Sequence, residues 1–212
     1  MTRKRLTRED SQEQTRQRLL DAAQKLFARK GLDRSSVEDI AAAAGYTRGA
    51  FYSNFKSKGD LFIELLRRDH DRADAEFSSL LNDELAIEDI QARTRDIYSK
   101  LYRDTEGFMA WTEARLLSAR DARFRTKLNA LMTEKRDHIV QLIEYFNKRA
   151  GATLDVPPAI MAMGFMSLVE GVKLFAASDP NEMPPAAAEA VLGLFVDSIM
   201  QLARLRGASR AK

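Results

Sequence analysis

The stretch from Ser36 to Lys58, SVEDIAAAAGYTRGAFYSNFKSK, restricts this chain more than any other. It is a short helix, a tight turn, a second short helix and the start of a third. Ser36 is placed to cap the first helix, and Glu38 and Asp39 fall in its first turn, where carboxylates favour the positive end of the helix dipole. Val37, Ile40 and Ala44 share one face, and the alanines at 41–44 let a neighbouring helix approach closely. Gly45 ends the helix, because glycine takes a left-handed backbone without steric cost. Thr47 caps the next helix, which runs to about Phe55. Such a pair is a helix-turn-helix, the unit that lays its second helix in the DNA major groove.

The charge distribution agrees. Residues 1–60 hold 13 Lys/Arg against 8 Asp/Glu, whereas the remainder holds 21 against 23. A basic head on a slightly acidic body fits nucleic-acid binding, and a solvated surface of uneven charge is the plainer alternative. With no cysteine, disulfides, thiolate zinc sites and cysteine nucleophiles are excluded, which is consistent with a reducing cytoplasm. The start MTRKRLTRED has no apolar core and is not read as a signal peptide. The apolar run from Pro157 stops at Glu170, too short to cross a bilayer, so no membrane association is expected.

Hydrophobic periodicity predicts an all-α chain. Residues 1–10 form a basic flexible arm. A first helix spans about 11–30, its apolar stripe made by Leu19, Ala22, Ala23, Leu26 and Phe27 and its end by Gly31. Residues 11–56 make a DNA-binding domain, and 57–206 a helical body. Ser57 caps a long helix running toward Leu81, and further helices are expected at about 84–103, 106–119, 122–149, 159–177 and 185–205. The tail 207–212 is expected to be disordered.

Residues 19–66, LLDAAQKLFARKGLDRSSVEDIAAAAGYTRGAFYSNFKSKGDLFIELL, resemble the TetR (tetracycline-repressor-type) family of transcription regulators. The shared elements are A-x-x-L-F with Lys30-Gly31, the V-x-D-I-A-x-x-A-G block, and T-R-G-A-F-Y-x-N-F-x-S-K-x-x-L. The resemblance implies a three-helix DNA-binding head with a helix-turn-helix and a six-helix body for ligand binding and dimerisation. It implies a cytoplasmic homodimer on a palindromic operator in double-stranded DNA, released by a small-molecule effector. A regulator controlled by a protein partner, or acting without an effector, is the alternative.

Within the second motif helix, the fork of Arg48 suits guanine O6 and N7, or a phosphate. Gly49 leaves room for backbone to approach DNA. Ser53 and Asn54 suit phosphates or base edges, with Thr47 beside them. Phe51 and Phe55 face the core. By the resemblance, Tyr52 reaches a phosphate with its hydroxyl and Lys58 grips the backbone. Ser35 and Ser36 are further phosphate candidates, with Ser36 equally a plain cap. Arg3, Lys4 and Arg5 either enter a minor groove or form a simple arm.

In the body, Tyr98, Phe108, Met109, Trp111, Met163 and Met166 are candidate ligand-pocket walls, with ordinary core as the alternative for each. Glu113 and Arg115 face a ligand or solvent. Val169, Val172, Phe175, Leu192, Phe195 and Ile199 lie on helices apolar over much of their circumference, which suits a subunit interface. His70 and His138 have no metal-ligand spacing, and the chain has neither a phosphate loop nor H-E-x-x-H. An enzyme is therefore not expected, nor any cofactor or metal.

Overall fold

The computed structural model describes residues 7–81, 85–103, 105–149 and 156–210. Side chains are described for all of these except 87, 88, 91, 98, 101–103, 105, 106, 196 and 199–210. Among the described residues the regular structure is helical throughout. The order is α1 (Arg8–Lys30), α2 (Val37–Ala43), α3 (Arg48–Asn54), α4 (Lys58–Ser78), α5 (Ile87–Arg103), α6 (Thr105–Arg120), α7 (Ala122–Arg149), α8 (Pro158–Ser178) and α9 (Pro185–Arg210).

Both ends depart from the sequence expectation. α1 begins at Arg8 rather than 11, because Thr7 and Asp10 form a reciprocal capping box. Only positions 1–6 of the expected arm remain, and these lie outside the described residues, as do Arg3, Lys4 and Arg5. α9 continues to Arg210, so 207–210 are helical and not a loose tail. A lone Gly207 within a helix costs only about 1 kcal/mol, too little to force an end.

The described residues form two compact units that do not divide at residue 56. One holds the chain up to Asp69 together with Glu106–Leu128, and the other holds His70–Thr105 with the chain from Asn129 onward.

The first unit contains α1–α3, the first half of α4, α6 and the start of α7. Its core includes Leu19, Leu20, Ile40, Phe51, Leu61 and Phe62, all fully buried. The Phe62 ring meets Phe27 edge-on at 5.4 Å and stacks on Phe124 at 5.8 Å. Gly31 and Gly45 adopt φ of 81° and 78°, as their helix-ending roles require.

The second unit joins the rest of α4 to α5, most of α7, α8 and α9. Leu80, Ile90, Ile97 and Leu142 form one cluster, and Val172, Ala188 and Leu192 form another between α8 and α9. α8 is 21 residues long and apolar enough in length and composition to cross a membrane, contrary to the expectation that ended the run at Glu170.

This unit also stacks His70 on His138, with ring centroids 5.4 Å apart. His138 Nδ1 is 2.6 Å from Asp74. Burial lowers the His70 pKa below its ordinary 6.5. The charges of Lys135 and His138 act in the same sense, and Asp74 and Asp71 oppose them. The unfolded chain thus takes up this proton before the folded one. Stability is full above pH 6.5 and falls on acidification, by at most about 1.4 kcal/mol per pH unit. Thermal melts from pH 7.5 to 5.5 should show a falling midpoint, and His70→Gln should flatten that slope.

Candidate nucleic-acid interface

α3 is short, and its placement rests on tertiary contacts. Phe51 and Phe55 are buried beneath it with rings 5.7 Å apart, as the one-turn spacing predicts. Thr47 Oγ1 accepts the Ala50 N–H at 3.3 Å, and Ser36 Oγ accepts the Asp39 N–H at 3.0 Å. Asp39 in turn accepts the Ser36 N–H and a bond from Lys30. Those bonds hold its carboxyl far below the usual carboxylate range.

A residue that sequence reasoning missed anchors the far end of α3. Arg16 of α1 donates from Nη1 to the Asn54 carbonyl at 3.0 Å, lies 4.6 Å from the Phe55 ring centroid, and pairs with Glu64 of α4 at 2.8 Å. One guanidinium thus ties three helices and places a cation at the negative end of α3. Its partners lie 38 and 48 positions along the chain, beyond any local pattern.

Several expected site residues stand on the exposed surface. Thr47, Arg48, Gly49, Tyr52 and Ser53 are all exposed, as is Ser36. The hydroxyls of Thr47 and Ser36 still have a proton to donate beyond their caps. Ser53 donates to the Gly49 carbonyl at 3.0 Å, leaving its oxygen as an acceptor.

Gly49 is informative because nothing inside the protein requires it. Its φ is not positive, and an added Cβ would make only an ordinary 3.6 Å contact with Thr47 Oγ1. Gly49→Ala should therefore raise the melting temperature, with a gain of about 0.4–1 kcal/mol. If DNA backbone docks there, the same change should weaken operator binding. Stability up with affinity down is a signature that a purely structural glycine would not give.

Three expected contacts are corrected. Ser35 is fully buried and donates to the Gly31 carbonyl at 2.8 Å, so it presents nothing to a phosphate. The Lys58 ammonium is turned inward, donating to the carbonyls of Leu32 and Ser35 at 2.8 and 3.0 Å. These carbonyls sit in the connection after α1, where the Leu32 carbonyl also accepts the Ser35 N–H at 3.2 Å. Asn54 is half-buried and donates to Ala50 of its own helix at 2.8 Å.

Glu113 of α6 is half-buried and turned toward the connection after α1. Its carboxylate accepts the Leu32 N–H at 2.9 Å, so side chains reach both backbone polar groups of Leu32.

The candidate pocket walls do not share one environment. In the first unit Phe108 is core, Met109 is exposed, and the Trp111 indole N–H donates to Asp69 at 2.7 Å. In the second unit Met163 is exposed and Met166 is half-buried. The Tyr98 side chain lies outside the described residues.

The interface candidates divide as well. Val172 and Leu192 are buried against each other's helix with Val169 packed beside them, and the Phe195 ring stacks on Phe165 at 5.6 Å. These four hold α8 to α9 within one chain. Phe175 stays exposed, and the Ile199 side chain lies outside the described residues. The uncovered apolar surface is made instead by Ile160, Met163, Leu174 and Phe175 of α8 with Val191 and Leu194 of α9.

Residues 19–65 match the family described as "Bacterial regulatory proteins, tetR family", and residues 86–201 match "BetI-type transcriptional repressor, C-terminal". The second match alone covers more than half of the chain. The chain belongs to the TetR family. Its two models are those of bacterial regulatory proteins and of a transcriptional repressor. The HTH-type transcriptional regulator AcrR of Shigella flexneri is 51% identical over 61 residues, 29% of this chain and 28% of AcrR. The chain thus matches about a third or less of the length of such curated relatives. A TetR-family regulator from Rhodococcus sp. superposes with a TM-score of 0.75 at 23% identity, over 89% of this chain and 99% of that one. SmeT, the repressor of the Stenotrophomonas maltophilia efflux pump SmeDEF, in complex with triclosan, gives 0.68 at 24% identity, over 87% and 90%. At such identities these two structures show the fold alone.

Proposed function

We propose that this TetR-family regulator is a repressor that binds a palindromic operator as a homodimer and leaves it when a small apolar or aromatic effector binds the body. The observation that carries the DNA reading is the surface of α3. Arg48, Gly49, Tyr52 and Ser53 are exposed together on a helix whose far side is buried and anchored by Arg16. Guanidinium, hydroxyls and a bare backbone suit base edges and phosphates.

The dimer reading is supported by the uncovered apolar residues of α8 and α9. Ile160, Met163 and Leu174 fall on one stripe of α8, and Val191 and Leu194 on one of α9. A second copy presenting the same face would cover both. Two recognition helices would then meet successive major grooves about 34–36 Å apart. Binding of triclosan by SmeT supports an aromatic effector. A cytoplasmic location follows from that role.

The test is selection of genomic DNA fragments by the purified protein at near-physiological salt, followed by sequencing. Enrichment of one palindromic site supports the reading and supplies the fragment on which effectors are screened for release. Weak, strongly salt-sensitive binding with no enriched sequence overturns specific recognition.

A further inference from the structure

The cation that opens α3 is already held by a carboxylate. Arg48 Nη1 lies 2.8 Å from Glu38 Oε1, and the guanidinium sits 5.4 Å from the Tyr52 ring centroid. The Arg48 and Glu38 side chains are 63% and 56% exposed. An exposed pair of this kind adds little to folding. It nevertheless places a negative charge on the face of the motif that meets a polyanion, and that cost needs a return.

We propose that Glu38 is a specificity-determining residue, which occupies Arg48 so that an isolated phosphate cannot capture it. The proposal rests on the reading of α3 as the DNA-reading helix. A phosphate reaching for Arg48 exchanges one charge-assisted contact for another and brings its own charge beside Glu38, so little is gained. A guanine edge is different. It is uncharged, and O6 with N7 accepts two bonds from one guanidinium. The fork has five N–H donors, so it can keep Glu38 at Nη1 and still present donors to a base. The Tyr52 ring beneath the guanidinium restricts its orientation. Glu38 therefore lowers binding to arbitrary DNA more than binding to the correct site.

The test uses the fragment that the wild-type protein selects and a scrambled duplex of equal length, each titrated over a range of salt. Proteins compared are wild type, Glu38→Gln, Glu38→Asp, Arg48→Ala and the Glu38→Gln/Arg48→Ala double variant. The Ser36–Asp39 capping box is untouched, so α2 should persist. Glu38→Gln should bind the scrambled duplex about two- to fivefold tighter, with a smaller gain on the selected fragment. Its salt slope on the scrambled duplex should steepen by about one for each subunit whose Arg48 gains a phosphate. Glu38→Asp keeps the charge but is too short to keep the pair, and should lose discrimination as Glu38→Gln does. With Arg48 already alanine, Glu38→Gln should change neither slope nor ratio.

An unchanged specificity ratio in Glu38→Gln, in a wild type that discriminates, overturns this inference alone. Full persistence of the effect without Arg48 also overturns it, since charge alone would then explain the change. A wild type that binds both duplexes alike overturns the reading of α3, and this inference with it.

Discussion

Leu194→Lys should leave a folded monomer that binds its operator at least about 100-fold more weakly than the wild type. Leu194 is 70% exposed, so the change costs the subunit almost nothing in packing. In the proposed dimer the same position would be covered by a second copy, and a buried ammonium without a partner is expensive. Losing the partner turns two linked half-site contacts into one, and linkage of that kind contributes about 10²–10⁴ in affinity. Sedimentation equilibrium reports the association state, and anisotropy on a labelled fragment reports the affinity. Leu192→Lys is the contrasting control. Leu192 is 3% exposed within the α8–α9 cluster, so its variant should lose fold and dimer together. A Leu194→Lys protein that remains dimeric would place the subunit contact elsewhere.

Phe62→Ala should destabilise the protein by about 3–5 kcal/mol, a fifth or more of the stability of an ordinary domain. The ring is fully buried and in contact with both Phe27 and Phe124, so it joins α1, α4 and α7. For a chain of this size the melting temperature should fall by roughly 6–20 °C. Operator binding should fail at temperatures where the wild type still binds, because α3 has too few residues to hold its place alone. Phe62→Leu, which restores most of the volume, should recover most of both losses.

What could be read in the sequence was what the chain decides locally. Ser36, Thr47 and Ser57 cap helices, and Gly31 and Gly45 end segments, because the bonds and backbone angles concerned lie within a few residues. The head motif and the helix order were legible for the same reason. The start of α1 was missed although Thr7 and Asp10 carry a capping-box spacing, because a run of charges there read as an arm. Roles that depend on distant partners were not legible. Lys58 meets carbonyls 23 and 26 positions away, and Glu113 meets a peptide 81 positions away. No periodicity records such pairings.

The interface shows the limit most plainly. Helices that are apolar on most sides advertise burial without saying which stripe stays inside the subunit. Val172 and Leu174 differ by about 200° around α8, as do Leu192 and Leu194 around α9. The first of each pair is buried in the chain and the second is exposed. Only the packing of α8 on α9 decides between them.

The most direct test of the central claim is the affinity of Arg48→Ala and of Tyr52→Phe for the selected fragment, measured beside their helicity and association state. The account predicts that Arg48→Ala loses about 1–3 kcal/mol per half-site, with a smaller loss for Tyr52→Phe, while both remain folded dimers. Unchanged affinity in both variants would contradict it, because the exposed face of α3 would then not be the surface that reads DNA.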